Sequence, residues 1–167
     1  KNSGRFEDFN IEFWNLEVGV GLTGAMLCSK VFGSHMAKSG GGVILNISSD
    51  LAEIGPNQSI YRKTDVSEEN QPKKPVSYSV IKAGLNGLTR YLATYWAEKG
   101  VRVNSLCPGG MFVDQPESFV RQLKELIPMG RMAKTGEYKG TIVYLLSDAS
   151  SYMTGATVMV DGGRTCW

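Results

Sequence analysis

The sequence predicts an α/β domain in three layers, a parallel sheet covered by helices on both faces. Three observations point there. The chain has 167 residues, the length of one domain. Short, apolar, β-branched runs ("VILNIS", "VRVNSL", "ATVMV") alternate with longer helical stretches. That alternation indicates βαβ units with right-handed crossovers, and strands apolar along their whole length suit a sheet buried on both sides.

Each element follows from its local signals. Residues 9 to 36, "FNIEFWNLEVGVGLTGAMLCSKVFGSHM", read as a helix despite Gly19, Gly21 and Gly24, which weaken it. "AKSGGG" ends that helix and "VILNIS" reads as the first strand. Residues 50 to 74 are polar and loop-like, ending in "ENQPKKP". A helix is expected from Val76 to Lys99, with Gly100 as its stop. "VRVNSL" is the second strand, broken by Pro108-Gly109-Gly110. Helices are expected over 116–126 and from Glu137 to Leu146, and "ATVMVDGG" supplies the last strand and turn. No internal repeat divides the chain.

Composition narrows the function classes. A formal charge of +2 and no basic stripe argue against a nucleic-acid surface. Cys28, Cys107 and Cys166 are odd in number and far apart, so they read as reduced thiols of a cytoplasmic protein. The one histidine, His35, has no metal-ligand neighbour at useful spacing, and no metal site is expected. No run of the ~18 apolar residues a membrane span needs is apparent, and no signal peptide opens the chain.

Chemistry enters with "PVSYSVIKAGL". Tyr78 and Lys82 stand at i, i+4 and share one helical face. Phenols ionise near pH ~10, and a neighbouring cation favours the phenolate. Such a pair can give or take a proton at a carbonyl or hydroxyl carbon. In an open α/β sheet, ligands lie at the carboxyl ends of the strands. Ser48 and Ser49 follow the first strand and the Pro-Gly-Gly turn follows the second, so both belong at that edge.

"GGVILNISS", "YSVIK", "GVRVNSLCPGG" and "SSYMTGATVMVDGG" occur in the order and spacing of the short-chain dehydrogenase/reductase family, which the chain resembles over its whole length. The likeness corresponds to the C-terminal two-thirds of that family's Rossmann-like domain. It implies NAD or NADP as cofactor and a reaction between the nicotinamide and a carbonyl or secondary alcohol. Tyr78 would be the general acid/base, Lys82 its cationic partner and a ligand of the nicotinamide ribose, and Ser49 the group that holds the substrate oxygen. Pro108, Gly109, Gly110 and Met111 would lie against the nicotinamide ring, the glycines allowing close backbone approach. "RYLATYWAEKGVRVNSL" and "DGGRTCW" are also similar to bacterial surface-sugar and flagellin-glycan reductases, which implies a sugar or nucleotide-sugar substrate.

Three departures modify these expectations. Nothing before residue 40 resembles T-G-x-x-x-G-x-G, the loop that holds the pyrophosphate, so residues 1–167 are expected to form a partial domain, impaired alone and poor at holding cofactor. Gly21 stands where the family carries a catalytic asparagine. Ser49 and Tyr78 are 29 positions apart, about twice the usual spacing, so residues of about 50–75 are an insertion, a lid or rim beside the substrate. The insertion carries Arg62, Lys63, Lys73 and Lys74 against Asp65, Glu68 and Glu69, which fits either a solvated variable loop or a binding rim for an anionic or sugar-nucleotide substrate. The first two helices and the exposed edge of "VILNIS" imply a homo-oligomer. The alternative for the chain is a non-catalytic remnant or interaction module that keeps the fold and its dimer helices. A hydrolase built on Ser49 is poor, since no G-x-S-x-G elbow is present.

Overall fold

The computed structural model describes residues 4–167. Helix α1, Ile11–Lys38, starts where the Asn10 side chain accepts the Phe13 N–H at 2.9 Å, an N-cap that satisfies one orphan donor. It does not run as one regular α-helix. Gly19–Thr23 and Ser29–Gly33 are wider π turns, features that concentrate at functional sites. The glycines that weaken the helix in sequence let it approach its neighbours. A Cβ on Gly33 would stand 2.3 Å from the Trp96 ring, and one on Gly21 would stand 2.8 Å from Ile81.

Strand β1, Gly42–Ile47, follows. Next come helix α2 (Val76–Tyr95), strand β2 (Val101–Pro108), helices α3 (Glu117–Lys124) and α4 (Lys139–Leu146), and strand β3 (Thr157–Val160). The sheet is parallel throughout in the order β1-β2-β3, with Gly42 opposite Val101 and Ser105 opposite Thr157. The expected α/β class with a parallel sheet holds.

Two helix ends differ from expectation for identifiable reasons. Helix α2 stops at Tyr95, four residues early, because Trp96 leaves the helical conformation and enters the main core. There it joins Leu92, Ala93, Val101 and Val103. A turn of 3-10 helix then runs to Gly100, whose φ of 71° is the left-handed stop the sequence predicts. Helix α4 begins at Lys139 rather than Glu137, because the Glu137 carboxylate binds Arg131 at 2.7 Å and accepts the Lys134 N–H at 2.6 Å in the preceding turn.

The 50–74 insertion is more ordered than a polar loop suggests. It holds 3-10 turns at Asp50–Ala52, Gln58–Tyr61 and Glu68–Asn70. Ile60 is buried with Leu123, Ile127 and Met132, a second small core that fastens the insertion to α3. Buried Gln71 closes the loop on itself, accepting the Lys63 N–H and donating to the Lys63 and Val66 carbonyls at 2.9, 2.9 and 2.6 Å.

One expectation about composition needs correction. Helix α1, at 28 residues and a mean hydropathy of 1.2 in its most apolar stretch, is long and apolar enough to cross a bilayer. The sequence conceals this because the apolar residues are interrupted by single polar ones rather than forming one run. One side of the helix packs against α2, where the Ser77 hydroxyl donates to the Glu17 carboxylate, while Leu16, Val20, Leu27, Val31 and Phe32 are exposed.

Candidate active site

The carboxyl ends of β1 and β2 bring the sequence-predicted residues together. A cavity of about 300 Å³ is lined by Ser49 from the end of β1, Tyr78 from the first turn of α2, and Pro108, Gly109, Gly110 and Met111 from the end of β2. Tyr61 and Lys74 of the insertion and Arg164 of the C-terminal tail complete the wall. The insertion therefore forms the rim of this cavity.

Two ammonium groups lie near Tyr78. Lys82, one turn on, places Nζ 5.7 Å from the centre of its ring. Its Nζ donates to the Ile47 carbonyl at 2.8 Å, which ties helix α2 to the end of β1. Burial pushes the Lys82 ammonium below its ordinary value, opposed by the Cys107 thiol side chain. Lys74 Nζ is nearer, 3.6 Å from the Tyr78 ring centre, within cation–π range. Burial lowers the Lys74 pKa too, with Asp50 opposing and Lys82 reinforcing the shift.

Ser49 is placed as expected but engaged differently. Its hydroxyl donates to Asp50 Oδ1 at 2.8 Å and accepts the Leu51 N–H at 3.2 Å, capping a short 3-10 turn. Asp50 is in turn held by Arg164 at 2.7 Å, and both partners are buried, their side chains 4% and 7% exposed. In this arrangement the proton of Ser49 is directed at Asp50, which a substrate oxygen would have to replace as acceptor. Ser48 turns away, its hydroxyl donating to the Lys82 carbonyl at 2.7 Å.

The Pro-Gly-Gly turn also has a reason the sequence did not supply. A Cβ on Gly109 would stand 2.8 Å from Asp161 Cα, and one on Gly110 would stand 3.0 Å from the Leu123 side chain. Gly109 packs closely against the chain that follows β3 and Gly110 against the Leu123 side chain of α3, and the turn presents bare backbone to the cavity. The Tyr138 hydroxyl donates to the Gly109 carbonyl at 2.8 Å, and burial raises the Tyr138 pKa to about 12, aided by the negative charge of Asp50.

Gly21 lies beside Tyr78 and Lys82, in the π turn of α1, in a second cleft shared with Glu17 and Lys74. The position expected to carry a catalytic asparagine has no room for one, since Ile81 occupies that space. Sequence reading missed Asp50 and Arg164, and took Lys74 only as one of the insertion's basic residues on a rim for an anionic substrate. Its place beside the tyrosine was legible in principle, as K-x-x-x-Y-x-x-x-K places lysines at i−4 and i+4. The pairing of Asp50 with Arg164 carried no local signal, because 114 positions separate them.

A parallel sheet that gathers a serine, a tyrosine and a lysine at its carboxyl edge is a family arrangement, and the likeness extends along the chain. The family described as Enoyl-(Acyl carrier protein) reductase matches residues 1–165, and the chain belongs to the short-chain dehydrogenase/reductase family. It is similar to an NADP-dependent mannitol dehydrogenase of Hypocrea jecorina, 36% identical over 98% of this chain and 57% of that protein. It is 35% identical to a galactitol 2-dehydrogenase (L-tagatose-forming) of Cereibacter sphaeroides, over 92% of this chain and 58% of the relative. A short chain dehydrogenase from Leptospira borgpetersenii, crystallised with NAD+, superposes with a TM-score of 0.86 at 34% identity, covering 96% of this chain and 59% of the other. A gluconate 5-dehydrogenase from Burkholderia cenocepacia, in complex with NADP and tartrate, gives 0.83 at 26% identity, over 96% and 59%. The chain thus spans under two-thirds of the length of these relatives.

Proposed function

We propose that the protein is an NAD(P)-dependent oxidoreductase that interconverts a secondary alcohol and a ketone on a sugar-derived, polyol-like substrate. The observation that carries this reading is the cavity in which Tyr78, Ser49 and the Pro108–Met111 backbone converge. Relatives named for mannitol and galactitol support the substrate class.

The residues fit a nicotinamide cofactor by the chemistry of the cavity: an open backbone turn on one side, and a phenol with two flanking cations on the other. When bound, the dinucleotide supplies or accepts the hydride. Tyr78 moves the proton at the substrate oxygen, taking it during alcohol oxidation and giving it during ketone reduction. Lys82, anchored on the Ile47 carbonyl, keeps positive charge beside the phenol and reaches towards the ribose side of the cleft. Ser49 completes the oxygen site once the substrate oxygen replaces Asp50 as the acceptor of its hydroxyl proton. Pro108, Gly109, Gly110 and Met111 give the ring a flat wall.

Residues 1–167 contain no glycine-rich phosphate loop, so we expect these residues alone to hold NAD or NADP weakly. The exposed apolar faces of α1 and α2, including Val20, Val31, Tyr91 and Tyr95, favour pairing with a second copy. A non-catalytic interaction module remains the competing reading, favoured by the blocked position at Gly21. Titration with NADH and NADPH, followed by quenching of Trp14 and Trp96, separates the two. Saturable binding accompanied by ketose reduction with the same NADH or NADPH supports the enzyme. No binding up to millimolar cofactor, with the fold intact, leaves the interaction module.

A further inference from the structure

Lys74 is held in place by the fold. The Gln58 side chain clamps its backbone from both sides, accepting the Lys74 N–H at 2.8 Å and donating to its carbonyl at 3.5 Å. Gln58 stands in the 3-10 turn whose Ile60 is anchored in the second core. With its backbone fixed, the half-buried side chain lies over the face of Tyr78 and lines the cavity that holds Ser49. Among the described residues no carboxylate forms an ion pair with it. The charged groups around it are Asp50, Arg164, Lys82 and Glu17. Asp50 is committed to Arg164, and Glu17 accepts a hydrogen bond from Ser77. The cavity wall thus carries a cation with no direct ion-pair partner, whose burial Asp50 and Glu17 offset only in part. Partial burial of an ammonium is costly without such a partner, and a bound anion removes the cost.

We propose that Lys74 is a specificity-determining residue that selects substrates bearing an anionic group, a carboxylate or a phosphate, on the polyol or ketose chain. This rests on the oxidoreductase reading and narrows its substrate class. Lys74 meets the anionic end while Tyr78 and Ser49 meet the reacting carbon, so substrate charge and chemistry are read in one cavity. The other basic groups of the insertion do not compete for this role: Arg62 pairs with Glu68, Lys63 is exposed outside the cavity, and Lys73 lines a different cleft.

The test uses the cofactor-loaded protein with gluconate, a hexitol phosphate and mannitol as carboxylate, phosphate and neutral probes. Turnover and calorimetric binding are both read. Wild type should prefer one or both anions, and Lys74→Met should lower kcat/KM and affinity for the preferred anion by roughly 10- to 100-fold. The loss on mannitol should be clearly smaller than the loss on the preferred anion, because Lys74 also lies over the Tyr78 ring. Lys74→Arg should restore much of the preference, and Lys63→Met should leave it unchanged. The better of the two anions identifies the group recognised. An equal loss on mannitol and the anions assigns Lys74 to the reaction centre instead and overturns the proposal, as does a wild type without anion preference. If anions bind in a Lys74-dependent way but none of the probes turns over, the anchor stands and the reaction assigned to the site falls.

Discussion

Tyr78 was visible in the sequence because its partner stands one helical turn away, and local spacing survives folding. Replacing it with Phe removes only the hydroxyl, so circular dichroism should be unchanged while turnover falls by roughly 100-fold or more. Retained turnover would remove the acid/base role. Gly21 was legible as a departure from the family but not as a blocked position. Gly21→Asn should therefore fail to improve turnover and, by pressing on Ile81, should destabilise the fold by about 1–3 kcal/mol, read as a lower denaturation midpoint. Asp50 and Arg164 form a buried pair, so removing either charge alone, as in Arg164→Met, should cost about 3–5 kcal/mol in urea unfolding. The double replacement Asp50→Asn with Arg164→Met should cost much less, since it leaves no unpaired buried charge. Additive losses would show that the pair is not coupled.

At the scale of elements, sequence patterning located the strands and α-helices of the described residues but misplaced some ends and read the 3-10 turns of 50–74 as loop. The end of α2 was moved by a tertiary contact: Trp96 leaves the helix for the core, where Gly33 of α1 gives it room. Gly33→Ala should gain helix propensity worth less than about 1 kcal/mol and still destabilise the protein. Paired with Trp96→Leu, it should cost less than the sum of the separate changes, as residues in contact do. The start of α4 was moved by charge. The Arg131 hydrogen bond holds the Glu137 carboxyl at about 2, below its usual 4.5. Its folded-state value is depressed, so its contribution to stability is present above 4.5 and is lost as pH falls towards about 2. Glu137→Gln should flatten the pH dependence of the urea midpoint in that window, and an unchanged slope would remove this pair from acid unfolding.

For the whole molecule, the exposed apolar faces of α1 and α2 predict self-association. Size-exclusion chromatography at micromolar concentration should show a dimer or larger species, and charges introduced as Val31→Glu with Tyr91→Glu should shift it towards monomer without lowering the melting temperature. A wild-type monomer would refute the pairing. By itself the sequence determined the α/β class, the strand order's raw material and the Tyr78–Lys82 pair. These depend on periodicity, turn residues and spacings within one or two helical turns, which the chain encodes locally. Only the tertiary structure decided the proton of Ser49, the blocked space at Gly21, the packing that demands Gly109 and Gly110, and the position of Lys74 over Tyr78. Each of these joins segments distant in sequence or depends on which side chain fills a shared volume. Such volumes and pairings exist only once the sheet has brought its strand ends together.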